Sequence, residues 1–254
     1  MEGRRWHARV PVEQAPHGPD VVLVHGFGVS SRNMVPTAEA LAPHCRVYAP
    51  DLPGHGLSYN PSQTLDLTGL AETLIEWMTS VGLQRACLLG NSYGCQIIVE
   101  LAVRHPERVE RLILQAPTVD PHARNLPRQL VRRLRSGWRE RHEPAGDETA
   151  QDWREIGLRR MFQDARYAMR DRIEDKLPHI QAPTLVVRGS RDPIVPQRWA
   201  EEATALIPLG RLVVLDGAVH TITFTRPHQL VEAILPFLFE GSAEDRPVTE
   251  TDRA

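Results

Sequence analysis

Short, almost wholly apolar runs recur along this chain and alternate with longer amphipathic segments. Six of these runs have the length and the β-branched content of buried strands, and they cover residues 20–25, 45–49, 86–90, 109–114, 184–188 and 211–215. Near-continuous apolar runs of this kind are typical of parallel strands that are covered on both faces of a sheet. The pattern therefore predicts a parallel sheet at the centre of the protein.

The amphipathic segments predict the helices that cover this sheet. One segment places an apolar residue at every third or fourth position, at Leu67, Leu70, Leu74, Met78 and Val81, which forms a single apolar stripe. A second helical segment covers 92–104 and ends before Pro106, because the residue before a proline avoids the helical conformation. Regular alternation of strands and helices favours a doubly wound, mostly parallel sheet of the α/β class.

The alternation stops between about Thr118 and Pro178, where the chain has no strand-like run and is rich in Arg, Glu and Asp. This stretch predicts a helical cap, at 118–178, inserted into a core domain formed by 1–117 and 179–240. Residues 241–254 are small, charged and interrupted by proline, which predicts a disordered tail.

Composition and charge narrow the classes of function. The chain has 254 residues and a formal net charge of −2, so no overall field favours binding to nucleic acid or to a membrane. No segment approaches the roughly 18 apolar residues of a membrane-spanning helix, and residues 1–12 lack the apolar region of a signal peptide. We therefore expect a cytoplasmic protein that acts on a small molecule as a monomer or a homodimer.

The three cysteines, Cys45, Cys87 and Cys95, have no metal-pair spacing, and they predict reduced, buried thiols. A zinc site is not expected either, because no two histidines lie four residues apart on a predicted helix. We predict that the protein needs no cofactor.

The segment Gly90-Asn91-Ser92-Tyr93-Gly94 fits the pattern G-x-S-x-G between a predicted strand and a predicted helix. A strand that turns sharply into a helix exposes the central serine hydroxyl at the carboxyl end of the sheet. Small residues two before and two after this serine prevent collisions with neighbouring backbone. The turn therefore predicts that Ser92 is a nucleophile, beside a helix N-terminus that favours a developing oxyanion.

Four further motifs also lie at the ends of predicted strands, two before this turn in the chain and two after it. They are His25-Gly26-Phe27-Gly28, the segment from Asp51 to Ser58, the segment from Gly189 to Pro196, and Gly217-Ala218-Val219-His220. With these motifs the chain resembles the α/β-hydrolase family from about Val21 to Phe239. One departure is Cys95, because a second glycine often follows the turn in that family.

The resemblance implies a role for each motif. Ser92 would attack a carbonyl, His220 would act as the base, and Asp192 would orient the imidazole. The backbone N–H groups of Phe27 and Tyr93 would form the oxyanion hole.

Some assignments stay open at this stage. Asp120 competes with Asp192, because some relatives place the acid after the strand that ends near Leu114. His25 and His55 flank glycines in turns and are interpreted as structural.

The cap is the predicted source of substrate contacts. If 127–141 is one helix, its apolar residues Leu130, Val131, Leu134 and Trp138 share one face, and Arg128, Arg132, Arg135 and Arg139 form a neighbouring stripe. The arginines either pair with acids on a solvated face or reach the mouth of the site and favour an anionic acyl group. Trp138, Phe162 and Arg128 are the predicted substrate contacts. Trp138, Trp153, Met161 and Phe162 are candidates for the walls of the pocket and equally candidates for the cap core.

The chain is predicted to be a carboxylesterase that cleaves a small or medium acyl ester through an acyl-enzyme. The alternative is a carbon–carbon bond hydrolase of the meta-cleavage type, which the pair Asn91-Ser92 resembles, although the loop after His25 lacks the proline typical of that subgroup. Lactonase, thioesterase and acyltransferase activities use the same three residues. A member that only binds a ligand is a further alternative, but such proteins usually lack one of the three.

Overall fold

A computed structural model describes residues 5–140 and 146–240 of the protein. Seven strands form one sheet in the order β1-β3-β2-β4-β5-β6-β7. Their bounds are β1 Ala8–Arg9, β2 Asp20–Val24, β3 Arg46–Pro50, β4 Ala86–Asn91, β5 Val109–Gln115, β6 Thr184–Gly189 and β7 Gly210–Leu215. β1 pairs antiparallel with β3, and every other neighbouring pair is parallel.

Helices follow the strands along the chain. Their bounds are α1 Val35–Leu41, α2 Leu67–Ser80, α3 Tyr93–Arg104, α4 Leu126–Glu140, α5 Gly146–Ile156, α6 Leu158–Arg170, α7 Ile173–Lys176, α8 Gln197–Leu206, α9 Ile222–Thr225 and α10 Pro227–Phe239. Four of them, α4 to α7, lie between β5 and β6, where the sequence predicts the cap. The predicted tail, 241–254, and Arg141 of the predicted cap helix lie outside the described residues.

Alternate residues of the strands belong to two different apolar clusters, one on each face of the sheet. Val22 and Leu88 belong to a cluster that includes side chains of α2, α3 and α8. Their neighbours Leu23 and Leu89 belong to a second cluster, with side chains of α1 and α10. Because successive side chains of a strand point to opposite faces, this division requires helices on both sides of the sheet. The predicted doubly wound α/β fold is confirmed.

The six predicted strands are all present, and each observed end lies within one residue of the predicted one. The sequence did not indicate β1, because its two residues carry no apolar run and it joins the sheet by pairing with Pro50 and Ala49. All three cysteines are free and buried.

Candidate active site

The turn between β4 and α3 contains Ser92 in a strained backbone conformation, with φ of +53° and ψ of −109°. Few residues other than glycine adopt such a positive φ, and strain of this kind is concentrated at functional sites. A side-chain carbon on Gly90 would lie 2.7 Å from the backbone nitrogen of Cys95, and one on Gly94 would lie 2.3 Å from the carbonyl oxygen of Val24. The two glycines therefore allow the close packing that the turn requires.

Gly94→Ala is expected to lower the free energy of unfolding by about 1–3 kcal/mol, because the new methyl group has no room against β2. Gly137→Ala is the matched control, because no atom lies within 4 Å of a side-chain carbon at that helical position. The control should stabilise the protein by about 0.5–1 kcal/mol, since alanine favours a helix. Urea unfolding measures both changes, and an equal effect of the two substitutions would argue against this account of the turn.

The structure brings Ser92, His220 and Asp192 together in one line of hydrogen bonds. The Nε2 atom of His220 lies 3.0 Å from the Ser92 hydroxyl oxygen, and its Nδ1 atom lies 2.8 Å from Oδ2 of Asp192. His220 and Asp192 are almost fully buried, at 3% and 4% exposure, and Ser92 is partly exposed. This arrangement can move a proton from the serine hydroxyl to the imidazole while the carboxylate orients the ring.

The loop after β6 holds Asp192 in place. Its Oδ1 atom accepts hydrogen bonds from the backbone N–H groups of Ile194, at 2.7 Å, and Val195, at 3.1 Å. The buried guanidinium of Arg188 donates to the carbonyl oxygens of Val195, at 3.0 Å, and Asp192, at 3.3 Å. Burial lowers the pKa of Arg188 from its ordinary value. The only signal of Arg188 in the sequence is an arginine near the end of an apolar strand.

Asp120 is engaged elsewhere. Its carboxylate accepts a hydrogen bond from the guanidinium of Arg132 at 2.7 Å and from the backbone N–H of His122 at 2.9 Å. A second guanidinium, that of Arg198, lies 3.6 Å away. The geometry therefore favours Asp192 over Asp120 as the partner of His220.

A buried amide, Gln115 at the end of β5, links the serine turn to the histidine loop. Its Nε2 atom donates to the carbonyl oxygen of His220 at 3.1 Å, and its Oε1 atom accepts from the Asn91 side chain. Its backbone carbonyl accepts from the N–H of Ser92 at 2.9 Å. Gln115 thus fixes the backbone of His220 relative to Ser92, and the sequence offered only the weak signal of one amide at the end of an apolar strand.

Gln115→Leu is expected to lower kcat by about 10- to 100-fold with little change in KM, because a displaced imidazole aligns poorly with Ser92. Gln96→Leu is the control, since this buried amide on α3 donates to the carbonyl of Ala168 and not to the histidine loop. Steady-state kinetics and thermal unfolding of both variants separate positioning from stability. Equal losses of kcat in the two variants would contradict a positioning role for Gln115.

Tyr93 directly follows Ser92, and Phe27 lies in the loop that follows β2. Tyr93 is the first residue of α3, so its backbone N–H has no acceptor within the helix. The two rings meet edge to face with centroids 6.4 Å apart. The oxyanion-hole role of their N–H groups stays a prediction that this placement supports.

His25 supports the loop that contains Phe27. Its Nε2 atom accepts a hydrogen bond from the N–H of Leu52, and its Nδ1 atom donates to the carbonyl of Gly26, both at 3.1 Å. Burial, together with the neighbouring His55, lowers the pKa of His25 to about 4. The ring is therefore neutral at neutral pH, as these two hydrogen bonds require.

The cap approaches this loop through α5 and α6. A side-chain carbon on Gly28 would lie 3.2 Å from the indole nitrogen of Trp153 and 3.5 Å from the methyl group of Met161. These two candidates for the pocket wall therefore lie beside the loop that contains Phe27.

The three predicted substrate contacts, Trp138, Phe162 and Arg128, are all exposed to solvent. Trp138 and Phe162 are 63% and 68% exposed, so assigning them to the cap core was wrong. Arg128 is exposed, and its guanidinium donates to the carbonyl of His122. The described contacts give no support to substrate binding by these three residues, which stays a prediction.

The described residues contain no cluster of three or more side chains suited to hold a metal ion. None of their helices combines the length and the apolar character needed to cross a bilayer.

Comparisons with known proteins identify the family to which the chain is similar. A sequence model described as the alpha/beta hydrolase family matches residues 21–233. A pimeloyl-[acyl-carrier protein] methyl ester esterase of Aeromonas hydrophila is 28% identical, over 90% of this chain and 99% of that protein. A protein of the same name from Nitrosospira multiformis is 38% identical over 109 residues, which are 42% of this chain and 41% of that protein.

Among solved structures, a hydrolase from Pseudomonas aeruginosa PA01 superimposes with a TM-score of 0.76 at 25% sequence identity. The match covers 93% of this chain and 95% of that one. The likeness therefore extends over both the sheet and the cap.

Proposed function

The chain belongs to the alpha/beta hydrolase family, and we propose that it is a serine hydrolase that cleaves a carboxylic ester of a small or medium acyl group. The observation that carries this proposal is the line of hydrogen bonds from Ser92 through His220 to Asp192. A partly exposed hydroxyl on a strained turn, beside a buried imidazole and carboxylate, matches the requirements of an activated nucleophile.

In the proposed reaction, the Ser92 oxygen bonds to the ester carbonyl carbon while its proton moves to Nε2 of His220. The negative charge on the carbonyl oxygen is stabilised by the N–H groups of Phe27 and Tyr93. Collapse of this intermediate breaks the bond to the alkoxy group, which leaves as an alcohol with the proton from His220. Water then repeats the two steps on the acyl-enzyme, releasing the acid and restoring Ser92.

A competing nucleophile lies close by in the sequence but is unsuited to this chemistry. Cys95 is fully buried, and burial raises the pKa of its thiol well above the ordinary value. The protonated thiol donates to the carbonyl oxygens of Gly90, at 3.1 Å, and Gln115, at 3.3 Å. Because the thiolate is the reactive form of cysteine, Cys95 is assigned to packing behind the turn.

The names of the relatives support ester cleavage, since two of them are methyl ester esterases. Carbon–carbon bond hydrolysis, lactone or thioester cleavage and acyl transfer use the same three residues and stay as alternatives. The non-catalytic alternative is disfavoured by the presence of all three side chains in hydrogen-bonding distance.

A substrate panel tests the proposed function. It should contain p-nitrophenyl esters of graded acyl length, dicarboxylic acid methyl esters, lactones, thioesters and ring-cleavage dienoates, each assayed for kcat/KM. We expect the esters to give the highest values, with a clear optimum of acyl length. A preference of more than 100-fold for the dienoates would instead identify a carbon–carbon bond hydrolase, and no turnover of any compound would support the non-catalytic alternative.

A further inference from the structure

The cap helix α4 presents its apolar side to solvent. Its large apolar residues Leu130, Val131, Leu134 and Trp138 are 61%, 47%, 66% and 63% exposed. The sequence predicts that these residues share one face of the helix, and of the two interpretations of Trp138, pocket wall or cap core, its exposure contradicts the second. Exposed apolar rows of this kind mark sites of interaction.

Hydrogen bonds from arginine side chains join the opposite side of α4 to the core domain. Arg132 donates to the carboxylate of Asp120 at 2.7 Å and to the carbonyl of Ile194 at 3.1 Å. Arg139 donates to the carbonyl of Arg191 at 2.6 Å. Within the arginine stripe, Arg132 is therefore partly buried against the protein, whereas Arg128, Arg135 and Arg139 are exposed. This orientation of α4 leaves its apolar row on the outer surface.

The outer surface of α4 is also strongly basic. The helix contains five arginines and a single acidic residue, Glu140. Successive residues of a helix are separated by 100°, which places the exposed residues Arg133 and Arg135 on the two flanks of the apolar row. Beside the row runs a groove of about 270 Å³, lined by Pro127, Arg128, Val131, Arg132 and Arg135. An occupant of this surface must therefore offer both apolar contacts and negative charge.

We propose that α4 lies in the headgroup layer of an anionic lipid bilayer. Leu130, Leu134 and Trp138 would enter the acyl boundary, and Arg133 and Arg135 would meet lipid phosphates on either side. A short helix with Leu and Trp on one side and arginines around it is the pattern of interfacial membrane helices. The row runs straight along a convex helix for more than two turns, which fits a deformable planar surface.

Charge disfavours a second copy of the chain on this surface, because two arginine-rich helices would repel each other. The expectation of no membrane partner followed from the net charge of −2 of the whole chain. The proposal departs from it because surface potentials act within about a Debye length, so the local charge of α4 decides the interaction. It does not depend on the proposed ester hydrolysis.

Vesicle sedimentation of the full chain tests the proposal. We expect at least tenfold tighter binding to vesicles of phosphatidylglycerol and phosphatidylcholine in equal parts than to phosphatidylcholine alone. The double variant Leu134→Ser with Trp138→Ser should lose at least tenfold in affinity. The double variant Arg133→Gln with Arg135→Gln should lose about 25-fold, from about fivefold for each arginine near an anionic surface.

Leu209→Ser is the matched control, because Leu209 is 54% exposed outside the cap, and it should bind like the wild type. Circular dichroism of each variant checks that the helices remain folded. Equal binding of the wild type to both vesicle types, no binding to either, or wild-type binding by both double variants would overturn the proposal. Binding to soluble polyglutamate without binding to vesicles would also overturn it and would indicate an acidic protein as the occupant.

Discussion

Ser92→Ala is expected to lower kcat for the preferred ester by about 10⁶-fold, while the free energy of unfolding changes little. Loss of the hydroxyl removes the atom that forms the covalent intermediate, and no other described group takes its place. The residual rate would come from the N–H groups of Phe27 and Tyr93 and from binding alone, which is typical when a serine nucleophile is deleted.

Ser80→Ala is the control for this substitution, because Ser80 ends α2 and its hydroxyl donates to the carbonyl of Trp77. This variant should keep full activity. The measurement is the initial rate of p-nitrophenol release with both variants purified in parallel with the wild type. Activity of Ser92→Ala within tenfold of the wild type would show that another residue attacks the ester.

Asp192→Asn is expected to lower kcat by about 10⁴-fold, whereas Asp120→Asn should change kcat by less than tenfold. An amide at position 192 can donate to Nδ1 of His220 and so favours the wrong tautomer for accepting the Ser92 proton. At position 120 the substitution weakens the ion pair with Arg132 and should lower the free energy of unfolding by about 1–3 kcal/mol.

We thus expect the two variants to differ: Asp192→Asn loses turnover, and Asp120→Asn loses stability. Steady-state kinetics and urea unfolding of both variants measure these losses together. A 10⁴-fold loss in Asp120→Asn with normal turnover in Asp192→Asn would falsify the assignment of the acid.

Much of the sheet and of the site could be predicted because local sequence constrains both. The buried strands are apolar without interruption, and the turn at Ser92 needs Gly90 and Gly94 for reasons of backbone packing that a short segment already contains. The resemblance to the α/β-hydrolase family implied the roles of His220 and Asp192, and their places after predicted strands fit it, because parallel strands end at the same edge of a sheet.

Other features depend on contacts between distant parts of the chain. The hydrogen bond from Gln115 to the carbonyl of His220 joins residues 105 positions apart, so no local pattern indicates it. The two residues of β1 are strand-like only because β3 lies beside them.

The orientation of α4 shows the same limit. Periodicity identified its apolar row and its arginine stripe, but an amphipathic helix can turn either side toward its neighbour. Asp120 and the carbonyls of Ile194 and Arg191 decide the orientation, and they come from loops that the helical pattern does not include.

The most direct test of the central claim is mass spectrometry of the protein after reaction with a p-nitrophenyl alkylphosphonate, followed by peptide mapping. A phosphonate imitates the tetrahedral intermediate and traps an activated serine. We expect one phosphonyl group per chain, attached to Ser92, with complete loss of esterase activity, and no adduct in Ser92→Ala. Complete inactivation with the adduct on another residue, or full activity after Ser92 is modified, would contradict the claim that Ser92 is the nucleophile.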